Sequence, residues 1–292
     1  MMKVLTKDIS NDYYDASIPP ALTVAQGELF RLETPSILTH REKFPETTVP
    51  VTGPVRIEGA RPGSTLKVEI VELKLTAGEG AIAVIPGKGA FGDSVTKPMY
   101  KVVKYDDKFA YFNDTIKVPL RPMAGKVGVA PVGKVINCHA TGNYGGNMDI
   151  TDITEGTSVY LPVFVEGALL SCGDVHAAMG DGESCFSAVE TEGLLTLRCQ
   201  VIGDMELTHP MVVTASEVMT VGDGKTLEEA YKIALDNMAA LITKKLGLDF
   251  IDAIMLISIA ADVRINQIVN TVAVGARVVL PLSLLPLKSI PR

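Results

Sequence analysis

Few cysteines occur in this chain of 292 residues, and no two of them form a C-x-x-C pair. The four are Cys138, Cys172, Cys185 and Cys199. Cysteines spaced this widely do not form a zinc knuckle, and four are too few for a disulfide scaffold. We interpret them as small buried apolar groups in a reducing compartment, and therefore expect a cytoplasmic protein.

The sequence also lacks a basic surplus and a long apolar run. Its 27 Lys and Arg residues face 34 Asp and Glu residues, which gives a net charge of −7 at pH 7. Without excess positive charge, the chain is not expected to displace counterions from a nucleic acid. The most apolar stretch, 253–261, is far shorter than the ~20 residues that span a bilayer, and the N-terminus has no signal-peptide core. We therefore expect neither a nucleic acid nor a membrane as a partner.

The first two thirds of the sequence predict β-structure. Apolar and charged residues alternate over 66–73, which is typical of a strand with one buried face. Turn-forming segments at 60–64, 77–80 and 86–89 separate such stretches, in a chain with 26 glycines and 17 prolines. Short strands with frequent turns indicate a sandwich or a barrel. A content of 47% hydrophobic and 21% charged residues is sufficient for a large core.

After residue 224 the pattern becomes helical. Thr226 and Glu229 form a capping-box motif ahead of apolar residues at helical spacing, and Gly247 marks the expected helix end. A second helix is expected to begin near Asp249, with closing strands at 269–274 and 277–280. We predict a mainly β fold with sandwich or barrel-like sheets and a smaller C-terminal α/β portion, α+β overall. Residues 1–220 would carry the candidate site, and residues 221–292 would pack on the sheets.

The densest cluster of polar residues lies between positions 142 and 190. Asp174 and His176 are two residues apart, so a strand would place both side chains on one face. Such a pair can bind a divalent metal, or act as a base with its orienting group. The Gly-Asp-Gly motif at 180–182 predicts a tight hairpin that would return Glu183 to this pair as a general acid or base. Regular pairing would place Glu190 on the face opposite Glu183, and a buried Glu190 would need a partner.

Each of these residues also has a purely structural interpretation. Asp174 and His176 would then form a surface ion pair. Asp181 would only form the turn, and Asn147 and Asp149 would only cap a turn after the glycine-rich stretch. The glycines do not form a phosphate loop, because no Gly-Lys-Ser/Thr follows them.

The remaining histidines have different expected roles. His209 precedes a proline and is expected in a turn, with a structural role. His40 is either a surface residue or an extra ligand. His139 lies just ahead of the glycine-rich stretch and is a candidate third ligand.

Together these motifs resemble the acetamidase/formamidase family. The resemblance extends over most of the chain and is carried by stretches 52–63, 145–149 and 160–163, and above all by the Gly-Asp-x-His-Ala-x-x-Gly-Asp-Gly-Glu block at 173–183. Two departures stand out. Residues 33–36 replace an acidic-cysteine pair that is frequent in the family, and Val49 replaces an asparagine. These departures are expected to shape the pocket.

The resemblance implies that short amides such as formamide and acetamide are hydrolysed to a carboxylate and ammonia. It also implies bound metal ions and assembly into at least a homodimer. Our hypothesis is that Asp174 and His176 hold a divalent metal, zinc or alternatively calcium, with Asn147 or Asp149 completing the site. Glu183 would take the proton from water and pass it to the leaving nitrogen. Backbone N–H groups at positions 145–146 (Gly145 and Gly146) would form the oxyanion hole.

Two alternatives stay open at this point. One is a metal-free amidase in which Cys138 or Cys185 is the nucleophile. The other is a non-catalytic β-sandwich protein in which the cluster holds a structural calcium ion.

Overall fold

The computed structural model describes residues 2–46, 49–269 and 272–285, and within them the chain is mainly β. The strands up to residue 128 are β1 (Lys3–Leu5), β2 (Ser10–Asn11), β3 (Tyr13–Asp15), β4 (Leu22–Val24), β5 (Leu29–Thr34), β6 (Val51–Ile57), β7 (Thr65–Leu75), β8 (Glu79–Val84), β9 (Met99–Tyr105), β10 (Phe109–Tyr111), β11 (Lys117–Pro119) and β12 (Met123–Gly128). The later strands are β13 (Val135–Asn137), β14 (Thr141–Gly142), β15 (Gly145–Asn147), β16 (Ser158–Pro162), β17 (Leu170–His176), β18 (Glu190–Thr191), β19 (Gly193–Ile202), β20 (Met211–Val213), β21 (Glu217–Gly224), β22 (Asp262–Gln267) and β23 (Val274–Pro281). The described residues contain two α-helices, α1 (Leu227–Leu246) and α2 (Phe250–Ala260).

Two large sheets enclose the main core. One has nine strands in the order β1-β5-β19-β7-β16-β20-β21-β23-β22, and the other includes the path β11-β10-β9-β8-β18-β17-β12-β15-β14. Both sheets contribute to one hydrophobic cluster, for example through Leu32, Ile70 and Leu195 from the first and Val55, Val127 and Leu170 from the second. Burying a side chain of this size stabilises the fold by roughly 1.5–3 kcal/mol. The predicted mainly β fold is confirmed.

The alternating stretch at 66–73 lies inside β7, as predicted. Leu66, Val68 and Ile70 are fully buried, while Glu69 faces the polar side and pairs with Arg198 of β19. The strand therefore has one face in the core and one face toward solvent, which is the arrangement that period-two alternation encodes.

Both predicted helices are confirmed together with their caps. The Thr226 hydroxyl accepts a hydrogen bond from the Glu229 N–H at 3.2 Å, and Gly247 ends α1 in a left-handed conformation with φ 68°. The Asp249 carboxylate caps α2 by accepting from the Asp252 N–H at 2.9 Å. Within the described ranges, no helix combines the length and the apolar composition that a membrane crossing needs.

The prediction of two closing strands is correct only in part. The stretch 277–280 lies within β23 and is confirmed. Within the stretch 269–274, residues 270–271 lie outside the described residues, residues 269, 272 and 273 are not in a strand, and Val274 is the first residue of β23. The neighbours of β23 in the sheet are β21 and β22. Since β21, β22 and β23 extend the nine-stranded sheet, the C-terminal portion is built into that sheet. The proposed boundary between residues 220 and 221 stays a prediction.

Candidate active site

Three adjacent strands bring the polar residues of the candidate site together. β17 supplies Asp174 and His176, β12 supplies Lys126, and β15 supplies Asn147, which lies opposite Lys126 in the ladder. Every residue of β17 is buried, so its polar side chains are inside the protein. Asp149 follows β15 and is also fully buried.

Asp174 and His176 meet as the two-residue spacing predicts. The Asp174 Oδ1 lies 3.6 Å from the His176 Nε2, and both side chains are buried. The surface ion pair considered above is therefore wrong. Asp174 adopts a left-handed backbone with φ 60° inside a strand, an unfavourable conformation that often marks a functional site.

Gly125 allows two carboxylates to approach each other. It is the β12 residue opposite Asp174, and a Cβ atom there would collide with the Asp149 Oδ1 and lie 3.2 Å from the Asp174 Oδ2. The Gly125 carbonyl also accepts from the Asp149 N–H at 3.1 Å. Only glycine leaves room for both acids at this point.

Glu190 also belongs to the site. It pairs across the ladder with His176, and its Oε2 lies 3.1 Å from the His176 Nε2. The prediction that Glu190 faces away from Glu183 is wrong, because residues 183–189 do not form a regular strand. Both glutamates line one cavity and each lies in a three-residue group with His176. The expected partner of Glu190 is thus His176.

The predicted tight turn at 180–182 forms and returns Glu183 to His176, but it lies within a long loop and does not join two strands directly as a hairpin. β17 ends at residue 176 and β18 begins at residue 190. The Glu183 N–H donates to the Gly180 carbonyl at 3.1 Å, and Gly182 bridges to β22 through the Asn266 carbonyl at 2.9 Å. Glu183 is buried with φ 47°, and Asp149 has the same φ, so three acids of the site, with Asp174, have a left-handed backbone.

A fully buried arginine fixes this loop. Arg277 of β23 contacts the Asp181 carboxylate at 2.8 Å and the Asp152 carboxylate at 2.9 Å. The Asp181 carboxylate also accepts from the Thr151 hydroxyl at 2.7 Å. Asp181 is therefore more than the turn former considered above, since it connects the loops that bear Asp149 and Glu183.

Lys126 is a functional candidate that the sequence reasoning missed. Its ammonium group is buried, donates to the Val49 carbonyl at 2.7 Å, and lies 3.3 Å from the Asp174 Oδ2. Burial alone would lower the pKa of Lys126, but Asp174 and the neighbouring acids outweigh burial and raise it above its ordinary value. The available signal was a single charge in the small and apolar run 123–130.

These groups share one cavity of about 440 Å³. The polar residues on its described wall are Glu46, Lys88, Lys126, Asn137, His139, Asn147, Asp174, Glu183, Ser187 and Glu190. Val49, one of the predicted departures from the family pattern, also lines it, whereas residues 33–36 do not appear on the wall that the structure describes. Substrate-sized molecules can therefore reach the acids.

Burial raises the pKa of three of the four acids of the site, and Asp174 is the exception. Burial, then the charge of Asp174, raises the pKa of Asp149 to about 7. Burial also raises the pKa of Glu183, with Asp149 as the next cause, and that of Glu190. Burial would raise the pKa of Asp174 as well, but the Lys126 ammonium and His176 outweigh it and lower that pKa. A cation at this place would offset the cost of ionising these buried acids.

The donor set fits a divalent cation. Asp149, His176 and Glu183 form one candidate group, and Asp174, His176 and Glu190 form another, with ligand atoms within 4.8 Å of each other. Both Asp149 oxygens, both His176 ring nitrogens and the Glu190 Oε2 are buried without a hydrogen bond of acceptable geometry. The His176–Glu190 contact is therefore short without being a hydrogen bond. Nitrogen and carboxylate oxygen ligands of this kind suit zinc.

Gly145, Gly146 and Asn147 form β15, but the glycines are packed against backbone whereas Asn147 lines the cavity. Gly145 and Gly146 lie within β15, where a Cβ atom would collide with the Val127 and Ala140 carbonyls, respectively. Close packing explains both glycines, and the predicted oxyanion hole stays a prediction. The Asn147 Oδ1 is buried without a hydrogen bond at the cavity, so this residue does more than cap a turn.

Of the other histidines, only His139 lies on the described wall of the cavity. His139 lines the cavity, and the positive charge of Lys126 together with burial lowers its pKa to about 3, so it is neutral. His209 lies in a bend, 3.8 Å from Asp223, and is not on the described wall of the cavity. The His40 side chain lies outside the described residues.

The described cysteines are all free thiols. Cys138 is buried with its sulfur 3.6 Å from the Val49 carbonyl, and burial raises its pKa, which disfavours the thiolate. The Cys185 sulfur lies 3.4 Å from the Ser187 carbonyl. Neither thiol lies on the described cavity wall.

Known proteins resemble this chain in sequence and in fold. The model of the Acetamidase/Formamidase family matches residues 139–286. An acetamidase from Mycolicibacterium smegmatis is 28% identical over 264 residues, which covers 65% of this chain and 65% of that protein. The matches span less than two thirds of the length of the curated relatives.

Solved structures match almost the whole chain. A predicted acetamidase/formamidase from Thermoanaerobacter tengcongensis is 37% identical with a TM-score of 0.93, covering 97% of both chains. An acetamidase from Bacillus halodurans is 34% identical with a TM-score of 0.92, covering 96% of this chain and 98% of the other. The family model spans half of the sequence, and the solved relatives cover nearly all of it. The protein therefore belongs to the acetamidase/formamidase family.

Proposed function

We propose that this protein hydrolyses a short aliphatic amide to a carboxylate and ammonia. The observation that carries the proposal is the convergence of Lys126, Asp174, Glu183 and Glu190 on the wall of one cavity, with the buried His176 directly beside these acids. Relatives named acetamidase and formamidase support the same chemistry. In the reaction, the C–N bond breaks, a C–O bond forms from water, and the leaving nitrogen gains a proton.

We propose that Asp174, His176 and Glu190 hold a zinc-like cation. This choice leaves Glu183 facing the cavity, and the excess of buried carboxylates supports a bound positive charge. Such an ion, when bound, lowers the pKa of water and polarises an amide carbonyl. Calcium is the second candidate, although its preference for oxygen ligands disfavours His176.

Glu183 is the proposed general base and acid. It is buried but lines the cavity, so its carboxylate can reach both water and a substrate nitrogen. It would take the water proton and transfer it to the leaving nitrogen, a role that typically contributes 10²–10⁴-fold in rate. Asp149 lies beside Glu183 in the group with His176, and its charge helps to raise the pKa of Glu183.

Lys126 and Asn147 are the proposed binding groups for the carbonyl oxygen. They lie opposite each other on β12 and β15, and both line the cavity. Lys126 contacts Val49 and Asp174, which leaves one of its three N–H groups for a substrate. A buried donor aimed at developing negative charge stabilises a tetrahedral oxyanion.

An ammonia-release assay with elemental analysis tests the proposal. Formamide, acetamide, propionamide and urea would be offered to the purified protein, and metal content would be measured on the same sample. Release of ammonia with a matching carboxylate is the expected result. No ammonia from any amide, together with metal-dependent melting, would favour the non-catalytic metal-binding protein instead.

The cysteine alternative receives no support from the thiol positions. Loss of activity with iodoacetamide but not with a chelator would revive it. The predicted homodimer or larger homo-oligomer and the cytoplasmic location also stay proposals. Sedimentation of the purified protein tests the first, and fractionation of cells tests the second.

A further inference from the structure

The cavity is much larger than formamide or acetamide requires. Its volume of about 440 Å³ falls in the range of pockets that hold ligands of many atoms. At ~30 Å³ for each water-sized group, the three heavy atoms of formamide would fill roughly a fifth of it. The remaining space is large enough to hold a further part of a substrate.

Apolar side chains form much of the wall. Ile37, Val49, Ile85, Phe186 and Val269 all line the cavity, and they come from five separate segments of the chain. Ile37 and Val49 belong to one hydrophobic cluster, so this part of the wall is continuous with packed apolar side chains. A wall of this composition favours an apolar group of the ligand.

Phe186 links this wall to the reacting groups. Its N–H donates to the Glu183 carbonyl at 3.1 Å, so one turn carries both residues. Phe186 has φ 104°, a conformation that is rare for a bulky side chain and that often marks functional sites. The Lys88 ammonium, which belongs to a residue of the same cavity wall, lies over the Phe186 ring at 5.1 Å from its centre.

We propose that Ile37, Val49, Ile85, Phe186 and Val269 form an acyl-binding subsite, and that the preferred substrates are primary amides with acyl chains of about four to six carbons. The proposal rests on the amide hydrolysis proposed above and adds the substrate class. The carboxamide binds at Lys126 and Glu183, and the alkyl chain extends along the apolar wall.

A series of unbranched amides tests the subsite. The ratio kcat/KM would be measured for formamide, acetamide, propionamide, butyramide and hexanamide. We expect a rise of about fourfold for each added methylene up to butyramide, the factor to which ~0.8 kcal/mol per buried CH₂ corresponds. A steady fall from formamide or acetamide onward would overturn the subsite but leave the amidase activity established. No hydrolysis of any amide would instead refute the proposed function.

A cavity-filling variant tests the location. In Val269→Phe, the added ring would occupy space beside the wall, since Val269 is buried and lines the cavity. We expect kcat/KM for hexanamide to fall at least tenfold and that for formamide to change less than threefold. Val263→Phe is the matched control, because Val263 is exposed on β22. Ile85→Phe repeats the test if Val269→Phe does not fold, and an equal loss for both amides in the folded variant would overturn the assignment.

Discussion

Lys126 is a single charged residue in a strand whose other residues are small or apolar, and every residue of that strand is buried. An ammonium group in such a place requires compensation, which Asp174 and the Val49 carbonyl supply. Because these partners are 48 and 77 positions away in sequence, no local pattern predicts the pairing. The lone charge was the only local signal.

Replacing Lys126 by methionine tests its role at the carbonyl oxygen. Methionine keeps the length but removes the charge and all donors. We expect kcat to fall by roughly 10²–10³, the usual effect of losing one oxyanion donor, with a much smaller change in KM. Lys134→Met, at an exposed position, is the control. A normal kcat in a folded Lys126→Met protein would remove Lys126 from the chemistry.

Gly125→Ala tests whether the close approach of two carboxylates matters. The new methyl group would displace the Asp149 and Asp174 carboxylates. We expect metal affinity, measured by competition with a chelator, to fall by ~10–100-fold, as for other changes that misorient ligands. Gly203→Ala provides a matched control, because a Cβ atom there meets nothing within 4 Å. Equal affinity in both variants would contradict the predicted crowding.

At the scale of elements, signals carried by neighbouring residues were reliable. The caps Thr226, Gly247 and Asp249 act within four residues, and they indicate correctly where α1 begins and ends and where α2 begins. The tight turn at 180–182 was predicted correctly, but the hairpin was not, because Arg277, far along the chain, holds the turn within a long loop. Glu190 was misplaced for the same reason, since the face of a residue can be counted only along a regular strand.

Arg277→Met tests the connection between β23 and the two loops. The change would leave Asp181 and Asp152 without their buried partner. We expect the free energy of unfolding to fall by about 3 kcal/mol, the lower range for breaking a buried ion pair, because Asp181 is partly exposed. Chemical denaturation measures it. Arg56→Met, which removes an exposed pair with Glu166, should cost less than about 1 kcal/mol, and similar losses in both variants would argue against the connection.

At the scale of the whole molecule, a bound cation should contribute to stability. The acids of the site come from β17, β18 and two loops, so one ion would connect segments distant in sequence. A ligand at 1,000 times its Kd stabilises the folded state by ~4 kcal/mol. We therefore expect chelation to lower Tm by several degrees in a thermal melt, and re-addition of zinc to restore it. An unchanged Tm in a protein shown to be metal-free would speak against the ion.

The most direct test combines turnover and metal content for Glu183→Gln and Glu190→Gln. Glu183 lines the cavity as the proposed base, whereas Glu190 contacts His176 as a proposed ligand. We predict that Glu183→Gln keeps its metal and releases ammonia at least ~10²-fold more slowly, and that Glu190→Gln loses the metal. Unchanged ammonia release by Glu183→Gln would contradict the account, and loss of metal in that variant would move Glu183 from base to ligand.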